Sequence, residues 1–394
     1  MRSFRYRLRP TRAQTVVLDR TLTTCRHTYN DALAERITAY KNNGTSLSKY
    51  DQHKGLTNHK TEYQQLVYVQ VLREVLNRLD QAYANFFRRV KAKRDGKKIK
   101  AGFPRFKSER RFNSFCYTQL GFRLADNNKR VCLSKIGAIR LVYHRPVEGI
   151  IKTCRVLRDV DQWFVIFVCD TESKLVAKSA KPTVGVDVGI KSLAVLSTGE
   201  AIDNPRHWKN AATNLAKQQR RLARKKRGSK NRRKQVVRVA RCSRKIRRQR
   251  DDFLHKLSRR LVSDFGCVVF EKLNIAGMMR NHCLAKHIGD AAWGKLIQFT
   301  TYKAANAGAE VSLVSPNGTS QMCSGCGAKV PKALAERTHR CKCGLTMGRD
   351  HNAAINIKAR GGTPRSYACG DSTTTREYCA LGQVESRKQE IHHG

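Results

Sequence analysis

The chain has 394 residues, 40% of them hydrophobic, and carries 79 lysines and arginines against 30 acids, a net charge of +49. That length and apolar fraction suit two or three folded domains and argue against an intrinsically disordered chain. A compact protein this basic repels itself unless a polyanion screens it, so nucleic acid is the partner the composition suits. No apolar run approaches the roughly 18 residues of a spanning helix. The N-terminus, MRSFRYRLRP, also lacks the apolar core of a signal peptide. The expected location is therefore the cytoplasm, with no membrane partner.

In chain order, residues 1–10 alternate as a short strand, with Phe4, Tyr6 and Leu8 on one face and Arg5, Arg7 and Arg9 on the other. Pro10 ends it, and 11–41 reads as helix. The stretch 62–94 is a stronger helix signal, because Leu72, Val75, Leu76, Leu79, Tyr83, Phe86, Phe87 and Val90 recur at i, i+3, i+4 spacing. The basic segment DGKKIKAGFPRFK (95–107) then breaks the helix with Gly and Pro. From 112 to 170 short alternating runs such as VCLSKIGAIRLVY and WFVIFVC predict a small β-barrel or sheet. Residues 173–182 read as a linker.

A new domain is expected from 183. TVGVDVGI, a turn and LAVLSTGEAI predict two adjacent strands, and a basic helical region follows over about 205–262. GCVVFEKL (266–273) has the short, β-branched pattern of a buried strand. Residues 288–308 read as helix, EVSLVS (310–315) as strand and RDHNAAINIKAR (349–360) as helix. The tail from 361, rich in Gly, Ser and Thr, is expected to be disordered.

Three acids sit where a metal-dependent nuclease needs them. Asp187 lies inside GVDVG on a strand, flanked by Gly185 and Gly189, which leave room for a backbone or a phosphate to approach. Glu271 ends CVVFE, and Asp350 opens a helix that it can also cap. The order strand–Asp–hairpin, strand–Glu, Asp–helix is that of an RNase H-like nuclease. Such a site holds two magnesium ions between carboxylates, activating a water and stabilising the leaving 3′ oxygen. Taken singly, each acid has an ordinary alternative: a turn residue, a solvated strand exit or a simple helix cap.

Of the 14 cysteines, four cluster: Cys323 and Cys326 as CxxC, then Cys341 and Cys343 as CxC. Four thiols in so short a window suit structural zinc, with the coordination sphere closed to substrate. The CxC half strains the chelate, and His339 stands near enough to replace one thiolate. Residues 217–250 hold 18 lysines and arginines and no acid. Like charges at helical spacing repel, and phosphate contact relieves them. Arg220, Arg221, Arg224, Lys225, Lys226, Arg227, Lys230, Arg232, Arg233 and Lys234 are the expected nucleic-acid contacts.

The segments GVDVGIKSLAVLSTG, VVFEKLNIAGMMRN, SQMCSGCG and RDHNAAINI, with RYRLRPTRAQ, CRHTYNDAL and GFPRFK before them, resemble the TnpB family of insertion-sequence proteins, relatives of type V CRISPR effectors. The resemblance runs from residue 1 to about 358, with one departure: Gly348 stands where the family often has Asp. It implies a multidomain α/β protein. An RNase H-like (RuvC) nuclease domain (183–315 and 345–360) would carry an inserted zinc ribbon (316–344). A β-barrel wedge domain (1–10 and 106–182) would carry an inserted helical recognition domain (11–105). By the same resemblance Asp187, Glu271 and Asp350 form a catalytic triad cutting target double-stranded DNA. A guide RNA would direct it to a site beside a short flanking motif, with one protein copy per RNA. The competing readings are a DNA transposase on the same fold, an RNA-guided DNA-binding regulator and a basic RNA-binding structural protein. The last leaves the acids and the cysteines unexplained.

Overall fold

Alternating apolar and basic residues at the N-terminus require one strand face to meet a core and the other to meet water. In the computed structural model, which describes residues 1–118, 120–171, 176–333 and 336–361, that strand lies in the middle of a sheet. The chain divides after Ser173 into two compact units.

In the first unit, β1 (Arg2–Arg9) is followed by four helices: α1 (Arg12–Asn43), α2 (Lys49–Asn58), α3 (Glu62–Gln65) and α4 (Val69–Arg94). Six strands come next: β2 (Ser114–Thr118), β3 (Phe122–Ala125), β4 (Arg130–Leu133), β5 (Gly137–Val142), β6 (Ile150–Asp159) and β7 (Gln162–Asp170). They form one antiparallel sheet in the order β2-β6-β7-β1-β5-β4-β3. Phe4, Tyr6 and Leu8 are buried while Arg5, Arg7 and Arg9 face outward, as the alternation predicts. The sheet's end strands are β2 and β3. The Tyr117 hydroxyl on β2 donates to the Ser134 carbonyl beyond β4, drawing the two ends toward each other.

A reciprocal cap opens α1: the Thr11 hydroxyl accepts from the Gln14 N–H, and the Gln14 side chain accepts from the Thr11 N–H. Gly44, at φ +64°, closes the helix in the left-handed region that favours glycine. The single helix expected over 62–94 is two, because the chain turns at 66–68 between α3 and α4. Leu72, Val75, Leu76 and Leu79 are buried, each side chain contributing ~1.5–3 kcal/mol of apolar burial. The same stripe leaves the core further along. Phe87 is exposed, and Tyr83 and Phe86 pack edge-on against Phe103 from the following loop.

The second unit opens with β8 (Thr183–Val188), β9 (Ser192–Leu196) and β10 (Ala201–Asp203). Then come α5 (His207–Ala223), α6 (Lys230–Asp264), β11 (Cys267–Glu271), α7 (Ile275–Met278), α8 (His282–Ala291) and α9 (Trp293–Ala307). It closes with β12 (Glu310–Val314), the short hairpin β13 (Thr338–Arg340) and β14 (Thr346–Gly348), and α10 (Arg349–Gly361). Where two strands were expected at 183–203, a meander of three forms. The basic helical region expected over 205–262 is the helix pair α5–α6. Ala292, at φ +51°, separates α8 from α9 inside the helix expected over 288–308.

The five-stranded sheet runs β10-β9-β8-β11-β12. Its first three strands are antiparallel neighbours, and β8, β11 and β12 are parallel. Val184, Val186 and Val188 share a core with Leu254, Leu257 and Leu261 of α6 and Leu296 and Ile297 of α9. The alternate residues of β8 face the other way, toward α10. Residues 176–182, expected as a linker, bond into this unit: Ser179 N–H donates to the Gly308 carbonyl, and Gly266 N–H to that of Pro182. Among the described residues no helix is long and apolar enough to cross a membrane. The tail expected to be disordered lies, from 362 on, outside the described residues.

Candidate active site and metal centre

Period-two alternation puts Asp187 on the same face of β8 as Gly185. β11 runs parallel to β8 with Phe270 beside Val186, so the next residues, Glu271 and Asp187, lie at the ends of adjacent strands on one face. Functional groups at the carboxyl ends of parallel strands are a recurrent feature of α/β sheets. The third acid comes from α10, and Gly185 is the reason it can. A Cβ at Gly185 would stand 2.1 Å from the Ala354 carbonyl oxygen and 2.5 Å from the Lys358 backbone nitrogen. The room beside Asp187 is thus filled by the backbone of α10. This contact packs α10 closely on β8, and Asp350, in the first turn of α10, is near enough for its charge to act on Asp187. Asp350 is the second helical residue, so it lies within the helix and not at its cap.

The electrostatics follow from this crowding. Burial first, then the neighbouring Glu271 and Asp350, push the Asp187 carboxyl up to about 8, opposed by Arg349. Burial also raises Glu271, against the Thr319 hydroxyl and Arg360, which lower it. Carboxylates gathered with so little compensating charge hold protons or cations, and oxygen donors of this kind suit magnesium.

The four cysteine sulfurs lie within 4.8 Å of one another. The Cys323–Cys343 and Cys326–Cys341 pairs are 3.7 and 3.5 Å apart. A tetrahedron with Zn–S bonds of about 2.3 Å has edges of about 3.8 Å, so the set fits a tetrathiolate ion. The backbone N–H of Cys326 is the main cause that holds the Cys323 thiol well below the usual thiol range, while the neighbouring thiols push Cys326 up. His339, open as an alternative ligand, is wholly buried with Lys332 against its Nδ1; among the described residues the group that could hold a metal ion is the four cysteines. The hairpin β13–β14 brackets Cys341 and Cys343, pairing Thr338–Arg340 with Thr346–Gly348.

Sequence reasoning missed the groups that tie these two centres together. Asn352, fully buried on α10, accepts from the Ser324 N–H at 2.9 Å and donates to the Met322 carbonyl at 2.7 Å. Asn356 donates to the Thr319 and Met322 carbonyls at 2.8 and 2.7 Å. The Thr319 hydroxyl donates to Glu271 Oε1 at 2.5 Å. The i, i+4 spacing of the two asparagines in DHNAAINI was the available signal.

The basic hairpin tip is solvent-facing. Arg220, Arg221, Arg224, Lys225, Lys226, Arg227, Lys230, Arg233 and Lys234 are exposed. Arg232 differs: its guanidinium is spent on the Leu222 and Lys225 carbonyls, where it holds the turn between the helices. Gln235 locks the pair by donating to the Gln218 side chain and carbonyl.

Three family models match the chain: "Probable transposase" over residues 166–282, "Cas12f1-like, TNB domain" over 293–357, and "Helix-turn-helix domain" over 1–45. Residues 1–45 contain one strand and one long helix, so the last description differs from the structure seen there. A Streptomyces pristinaespiralis protein, "Putative RNA-guided DNA endonuclease", is 36% identical over 99% of this chain and 96% of its own length. InsQ of Escherichia coli (strain K12), which carries the same description, is 28% identical over 94% of each. Among solved structures, Cas12f1 in complex with sgRNA and target DNA aligns over 91% of this chain and 98% of its own, at 15% identity and a TM-score of 0.34.

Proposed function

The chain belongs to the TnpB family, the OrfB proteins of IS605-type elements, and on that premise we propose that it is an RNA-guided DNA endonuclease with a single carboxylate site. The observation that carries the chemistry is the state of Asp187, whose carboxyl is pushed up to about 8 by burial and by the charges of Glu271 and Asp350. The sheet order and the mixed parallel and antiparallel pairing support an RNase H-like (RuvC) nuclease domain. The tetrathiolate group supports an inserted structural zinc ribbon.

In this reading Asp187, Glu271 and Asp350 would hold divalent magnesium, which would supply an activated water and stabilise charge on the leaving oxygen. The protein's own contribution is rigid placement. β8 and β11 fix Asp187 and Glu271 in register, α10 brings Asp350 to them across Gly185, and Thr319 keeps one Glu271 oxygen oriented. Sequence selection is left to base pairing between guide RNA and the target strand, and the exposed cations of the α5–α6 tip meet phosphate. Residues 1–10 and 106–182 serve as the wedge, and 11–105 as the recognition domain.

The test is the conversion of Asp187 to Ala in the protein bound to RNA from its own locus. Cleavage of a matching duplex in magnesium is expected to vanish, with duplex binding within about twofold of the parent, because a lost carboxylate removes metal and little else. Retained cutting would remove Asp187 from the site.

A further inference from the structure

The segment 319–324 touches both centres. At its start, the Thr319 hydroxyl is 2.5 Å from Glu271 Oε1 and 3.1 Å from the Pro316 carbonyl. A hydroxyl has one proton, so with Glu271 ionised it goes to the carboxylate, the shorter and charge-assisted partner. Near the segment's end Cys323 enters the thiolate group. Between them, Asn352 and Asn356 bind the Thr319, Met322 and Ser324 backbone through four hydrogen bonds, from the helix that also carries Asp350. Thr319 is buried, and so is its bond to Glu271, so water is no ready substitute for that bond.

We infer that Thr319 is the positioning residue for the Glu271 carboxylate, and that the segment 319–324 makes the carboxylate geometry depend on a closed four-cysteine centre. The inference rests on the proposed role of Glu271 as a metal ligand. A buried hydroxyl that orients a ligating carboxylate acts on metal affinity through that ligand. The cysteine centre, fixed at Cys323, holds the other end of the same short segment. When it opens, the register of Thr319 against Glu271 is no longer determined.

The experiment measures binding of manganese(II), as a spectroscopic probe for the carboxylate site, by paramagnetic resonance of the free ion. It compares the parent full chain with Thr319→Val, Thr319→Ala and Thr319→Ser, and follows zinc content and melting temperature alongside. Valine keeps the shape and removes the hydroxyl; alanine removes it without added bulk should valine fail to fold. Both are expected to weaken manganese binding by about tenfold or more with zinc content unchanged, and serine to stay within about threefold of the parent. Stripping zinc from the parent should weaken manganese binding similarly, while stripping it from the valine chain should change little, because the link is already cut. Parent-like binding in both valine and alanine chains, or equal losses on stripping in parent and valine chains, would overturn the inference. Asp187→Ala serves as the separate control. If it too binds manganese normally, the proposed carboxylate site has failed; if it alone loses manganese, only the role of Thr319 has failed.

Discussion

Asp187 is the residue on which most depends. Burial, with Glu271 and Asp350 beside it, pushes its carboxyl up to about 8 from an ordinary value of 3.8. Between those values the folded state binds the proton that the unfolded state has released, so stability falls as pH rises through the window and levels off above about 8. The stability linked to this group is complete below the unfolded value and lost by the folded one. Melting temperature without magnesium should therefore drop between about pH 5 and pH 9, reflecting a stability change on the order of a few kcal/mol. Asp187→Asn should flatten that drop, and magnesium should reverse part of it by binding the folded state alone. A parent whose melting temperature rises over the same range would contradict the crowded-carboxylate account.

At the scale of elements, the site depends on one close approach. Gly185→Ala would set a methyl group 2.1 Å from the Ala354 carbonyl oxygen and force α10 off the sheet. The expected outcome is a loss of roughly 2–4 kcal/mol in denaturant unfolding, together with loss of cleavage as Asp350 moves away. An unchanged midpoint and full activity would mean that α10 packs elsewhere. Similarly, Cys326→Ser should lower bound zinc and impair folding or cleavage; full cutting with no zinc bound would refute a structural role. Much of this was legible beforehand, because strand alternation and apolar strand ends are local signals: Asp187, Glu271 and the β1 face are where period two places them. The breaks were less legible. The turns at 66–68 and Ala292 interrupt otherwise continuous helical patterns, and tertiary packing decides them. Thr319 was invisible for another reason: a hydroxyl matters through its partner 48 residues away, and no local pattern encodes that distance.

For the whole molecule, the charge of +49 is the dominant fact. Replacing Arg224, Lys225, Lys226 and Arg227 by Gln should weaken duplex binding across sequences alike. It should also reduce the slope of log affinity against log salt by up to about 0.9 for each phosphate that is no longer neutralised. Arg232→Gln should instead lower thermal stability, since that guanidinium holds the hairpin turn. An unchanged salt slope in the fourfold variant would show that the tip meets no phosphate. The division of labour between base pairing and backbone contact is the central claim, and one measurement addresses it most directly. The protein is purified from cells carrying its native locus, the co-purifying RNA is sequenced, and matched and mismatched duplexes are offered with magnesium. The account predicts one discrete RNA with a variable end, and cutting of the duplex matching that end alone. Heterogeneous or absent RNA, with DNA strand transfer or with cutting indifferent to the match, would contradict it.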